Sequence, residues 1–156
     1  MTATDENGWA LSVSRYIAAP PDKVWDAMTK RQAEWWCPKP WKTEIVEQKW
    51  HAGGRSAVIM HGPDGETSPQ EGIFLEVTLG VRFVSTDAFV RTEDGEILPH
   101  VPFMVGCWEI APEGNGTRYT ATARHWSKAD AKHHAEMGFV QGWGTCADQL
   151  AALAET

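Results

Sequence analysis

The feature that most constrains this chain is a single apolar stripe near its C-terminus. Phe139, Trp143, Cys146, Leu150 and Leu153 are spaced by 4, 3, 4 and 3 residues. On a helix turning ~100° per residue they fall within about 80° of arc. One stripe needs one surface to cover. Upstream, the chain supplies strands in abundance and few other helices, so the obvious surface is an antiparallel sheet. A sheet that curls around the helix without touching it everywhere leaves a cavity between them.

WALSVSRYIA, 9–18, alternates as a strand. Ala19-Pro20-Pro21-Asp22 opens a helix, since proline is tolerated in a first turn and an acid suits a helix N-terminus. Thr29-Lys30 breaks the helical spacing of 23–36 into two short helices, and Cys37-Pro38-Lys39-Pro40 ends the second. Strands are predicted over 41–50, 54–61, 70–79, 81–90, 103–111 and 117–126, with turn signals at Ala52-Gly53-Gly54, Pro63-Asp64-Gly65, Gly80 and Glu113-Gly114-Asn115-Gly116. Ser127 with Asp130 reads as the cap of one long final helix. Gly138, Gly142 and Gly144 interrupt that helix and call for a close backbone approach or a kink. The expected fold is thus α+β: about six to seven antiparallel strands wrapped around a long C-terminal helix, with two short helices after the first strand. Residues 9–156 are expected to form one domain and 1–8 a frayed leader.

Charge and composition narrow the function. Fourteen basic and 21 acidic residues give −7, which argues against a nucleic-acid backbone as partner. No apolar run approaches the ~20 residues of a membrane span, and the acidic start is unlike a targeting segment, so a cytoplasmic protein is expected. Cys37, Cys107 and Cys146 form no CxxC, and the six histidines form no HExxH, so neither metal nor cofactor is implied. His133 and His134 diverge by ~100° on a helix and fall opposite the apolar stripe, where solvent is expected. Nine tryptophans are the compositional anomaly: rings in that number fill a core or line an apolar cavity. Surplus tryptophan on an acidic domain could also pair two copies as a homodimer.

The local strings SRYIAAPPDKVWDAMT (14–29), EWWCP (34–38), GGRSAVIMHGPDG (53–65) and EMGFVQGWGTCADQLAALA (136–154) resemble the SRPBCC superfamily, also called START-like or birch-pollen-allergen-like. Within it the chain is similar to the family of homologues of the heat-shock-protein ATPase activator. The resemblance spans roughly residues 9–154 and implies the helix-grip fold. The stretch RTEDGEILPHVPF, 91–103, is longer than a hairpin link and could form a lid on the cavity mouth.

Charged residues orient the strands, because they favour water. Outward Arg55, Arg82, Glu109, Arg118 and Arg124 put Met60, Phe83, Met104, Trp108 and Tyr119 inward. Phe139 and Trp143 join them from the helix, and Phe74 from its strand, although Glu76 shares its face. These eight are the predicted ligand wall, suited to a hydrophobic or aromatic small molecule. An alternative is an enzyme of cyclase, dehydratase or hydrolase type using His125 with Asp87 or Glu76, since inward carboxylates and histidines serve acid–base chemistry. A third reading is a co-chaperone-like interaction module.

Overall fold

The computed structural model of the chain describes residues 2–4, 8–101 and 104–156. Among the described residues ten strands and four helices follow in sequence: β1 (Thr2–Thr4), β2 (Ala10–Ile17), α1 (Pro21–Lys30), α2 (Gln32–Trp35), β3 (Lys42–Gln48), β4 (Arg55–His61), β5 (Thr67–Thr78), β6 (Arg82–Thr86), β7 (Phe89–Arg91), β8 (Ile97–Pro99), β9 (Met104–Glu113), β10 (Gly116–His125), α3 (Lys128–Glu136) and α4 (Phe139–Ala154). Eight strands make one antiparallel sheet in the order β1-β2-β10-β9-β6-β5-β4-β3. With α4 against one face, this is the helix-grip arrangement.

Three expectations change. First, Thr2–Thr4 of the leader pairs with β2 as a short edge strand rather than standing free. Second, the final helix is two. Gly138 adopts φ 101°, a left-handed conformation that only glycine takes without strain, and it separates α3 from α4. Ser127 caps α3 as expected, its Oγ accepting from the Asp130 N–H at 3.1 Å. Gly142 and Gly144 are not close approaches: a Cβ at either would meet nothing within 4 Å. Third, part of 91–103 forms the β7–β8 hairpin, which among the described residues is a two-stranded sheet separate from the main one. Arg91 ties it to the rest of the fold by donating to the Gly53 carbonyl at 2.7 Å, and braces the hairpin's own turn by donating to the Gly95 carbonyl, also at 2.7 Å. Pro102 and Phe103 lie outside the described residues.

The two ends of α4 meet different surroundings. Its C-terminal half buries Leu150, Ala151 and Ala154 in a solid core shared with Val13 and Ile17 of β2 and Val24 and Met28 of α1. The turn after α2 is pinned to the same helix. Gln149 Nε2 donates to the Trp35 and Cys37 carbonyls, both at 2.9 Å. The Cys37 N–H donates to Cys146 Sγ at 3.3 Å. The N-terminal half of α4 faces a void.

Candidate ligand cavity

Register makes the void. Across β6, β9 and β10 the inward row that pairs Phe83 with Trp108 continues to Ala121, and the next row pairs Ser85 with Gly106 and Ala123. Ser85 and Gly106 border the void, and residues this small clear space that larger side chains would fill. Gly106 is needed for a steric reason. A Cβ there would come within 2.4 Å of Trp108 Cη2, so its absence lets the indole lie back along its own strand. The result is a cavity of about 660 Å³ between the sheet and the start of α4. That lies within the range of small-molecule sites.

One wall is aromatic. Trp108 stacks on Phe83 at 5.1 Å and on Trp143 of α4 at 5.5 Å, with interplanar angles of 19° and 15°. Trp36 sets its edge against Trp108 and Trp143 at 5.4 and 5.2 Å. Each such pair contributes about 0.5–1.5 kcal/mol beyond area burial, so the wall is stiff. Polar side chains also border the cavity: Gln32, Gln48, Ser56, Gln70, Ser85 and Asp87.

Of the eight residues expected on the wall, Met60, Phe74, Phe83, Met104, Trp108 and Trp143 border this cavity. Phe139 instead borders a smaller neighbouring cavity of about 210 Å³, which it shares with Trp143 and His134. It sits one turn before Trp143 and packs on that ring at 4.7 Å. Tyr119 reaches neither cavity. It lies two positions before Ala121 on β10, fully buried with its ring edge-on to Trp35 at 6.1 Å. Burial drives its phenol well above the ordinary tyrosine range, and among the described residues its hydroxyl has no hydrogen-bond partner.

The structure does not assemble the acid–base group. A β-bulge between Phe74 and Glu76 turns Glu76 to the outer face. There it accepts from Thr78 Oγ1 at 2.6 Å and Arg82 Nε at 2.7 Å, which hold its carboxyl below the usual range. Asp87 does border the cavity, and its Oδ1 accepts the Met104 N–H at 3.2 Å. His125 is inward and buried but is engaged elsewhere: Nδ1 lies 3.2 Å from the Trp9 carbonyl and Nε2 2.8 Å from His134 Nδ1. With Nδ1–H donating to the carbonyl, Nε2 accepts from His134.

His134 is the main correction among the histidines. It is half-buried rather than solvent-facing, packed edge-on against Phe139 at 5.1 Å, and it borders both cavities. The break at Gly138 puts α3 out of phase with α4, so the stripe of one helix does not predict the face of the other. Gln48 is equally hard to foresee. A bulge between Ile45 and Glu47 shifts the alternation of β3 and brings Gln48 to the inner face. Trp36 cannot be told from its neighbour in Glu34-Trp35-Trp36 by pattern alone: Trp35 is core and Trp36 borders the cavity. Among the described residues there is no cluster of three or more metal-ligating side chains, and no helix is long and apolar enough to cross a membrane.

A bent antiparallel sheet, a C-terminal helix laid in it and a void between them define an SRPBCC-type helix-grip protein. Residues 18–155 match the family described as activator of Hsp90 ATPase homolog 1-like protein, and the chain belongs to that family. A crystal structure of a Nitrosomonas europaea protein is 37% identical, with 95% of each chain covered and a TM-score of 0.86. A Mycobacterium smegmatis protein is 22% identical over 98% of this chain and 95% of that one, at 0.80. An Arthrobacter aurescens protein is 22% identical over 99% and 90%, at 0.82. No curated protein matches the sequence significantly.

Proposed function

We propose that the protein binds a small hydrophobic or aromatic molecule in the cavity between its sheet and α4. The observation that carries this reading is the void itself: about 660 Å³ remains open beside the stacked Phe83, Trp108 and Trp143, although nine tryptophans were available to fill it. A planar guest would continue the stack. Burying its surface contributes roughly 25 cal/mol per Å². Met60 and Met104 adapt the remaining wall to its outline. Family membership supports a ligand-binding fold and leaves the ligand's identity open.

The test uses N-phenyl-1-naphthylamine, a neutral probe that brightens out of water. Its emission should rise on addition of protein, tryptophan emission should fall, and Tm should climb with probe concentration. A flat response in all three counts decisively against the reading. Chaperone interaction is the second reading, favoured by the family's name and by the exposed Leu79 and Trp126. Co-precipitation with a heat-shock chaperone that survives filling of the cavity would favour it.

A further inference from the structure

Gly142 stands inside α4 without a steric reason to be glycine. Its φ is not in the left-handed region, and a Cβ there would meet nothing within 4 Å. Glycine in a helix interior weakens the helix relative to alanine, so the position carries a cost that packing does not explain. What Gly142 does is border the smaller cavity of about 210 Å³. Resting on the ligand-binding reading, we propose that this glycine keeps the small chamber open as a second subsite, and that the ligand is a planar ring system bearing a short hydrocarbon arm. The ring lies in the large cavity against Phe83, Trp108 and Trp143, and the arm enters the small one beside Gly142.

The two cavities abut. Trp36, Met60, His134, Met137 and Trp143 border both. Trp36 and Trp143, packed edge to face at 5.2 Å, are the fixed posts of the boundary. Met60 and Met137 are its yielding members, since an unbranched thioether side chain fits many outlines. Beyond them the small chamber is lined by Cys37, Pro38, Phe139 and Cys146, which offer no charge. The Cys37–Pro38 turn is held against α4 by the Cys37 N–H on Cys146 Sγ at 3.3 Å and by Gln149 Nε2 on the Cys37 carbonyl at 2.9 Å, so this wall is anchored. Such a lining favours hydrocarbon and leaves the polar groups of a hydrophilic arm unpaired. Gly144 supplies the contrast: its Cβ position is equally open, yet it borders neither cavity.

A series from 2-methylnaphthalene through the ethyl and propyl compounds to 2-butylnaphthalene tests this by displacement of N-phenyl-1-naphthylamine. Affinity should rise with each methylene, by at least about tenfold across the series. Gly142→Leu, which puts a side chain where the arm goes, should cut the butyl-over-methyl ratio at least about fivefold and leave 2-methylnaphthalene within about twofold of its original affinity. Gly144→Ala should leave the ratio unchanged. Should the leucine variant fail to fold, Gly142→Ala serves, and should cut the ratio at least about twofold. A ratio that the folded Gly142 variant preserves overturns the proposal, as does an equal fall in Gly144→Ala or a flat series in the unsubstituted protein. If 2-methylnaphthalene binds in any of those cases, only this inference fails. If no member of the series displaces the probe, the cavity reading fails with it.

Discussion

His134 shows how much one side chain can carry at a cavity rim. Burial first, then His125 and His133, press its pKa from 6.5 to about 4. Between those values the unfolded chain binds a proton that the folded chain does not. Its contribution is therefore complete above about pH 6.5 and is lost as pH falls toward 4. Tm should drop on acidification from pH 7.5 to 5, and His134→Gln should flatten that slope. An unchanged slope in the variant would place the acid sensitivity elsewhere. Sequence pattern puts the same residue in water, because it carries helical phase through a glycine that interrupts it. By contrast Phe83, Trp108 and Trp143 are legible individually: two follow from strand alternation and one from the helical stripe.

At the level of elements, punctuation residues decide more than apolar pattern. Gly138 at φ 101° is the joint between α3 and α4. Alanine there should cost about 1–2 kcal/mol, because a Cβ is disfavoured in the left-handed region. Urea denaturation reads this directly; an unchanged midpoint would mean that the joint relaxes at no cost. Proline at the start of α1 and Ser127 before α3 act as their types suggest. The β-bulges do not announce themselves. Those in β3 and β5 follow no turn residue, yet each reverses a face, bringing Gln48 in and sending Glu76 out. A period-two pattern holds only up to the first inserted residue.

Across the whole molecule, α4 divides the labour between stability and binding. Leu150 is fully buried in the solid end. Leu150→Ala should lower stability by about 2–5 kcal/mol while leaving probe affinity unchanged in the folded fraction. Trp143→Leu, at the other end, should weaken binding of planar probes because it removes one face of the stack. Chemical denaturation and calorimetry on the two variants separate the effects; a large affinity loss in the Leu150 variant would contradict the division. The length of the chain is compatible with both roles, since a domain of this size buries roughly 70% of its unfolded surface without staples.

Element order, the apolar stripe of 139–153 and the strand alternation are all present in the linear pattern, because periodicity and turn chemistry act over a few residues. They are enough to set a helix against a sheet and to place most of one aromatic wall. Whether that interior is solid or hollow is not in the pattern. It depends on which small residues meet across β6 and β9, on where two bulges reset the pleat, and on a glycine that turns α3 away from α4. Those are relations between segments far apart in the chain, and only packing brings them together.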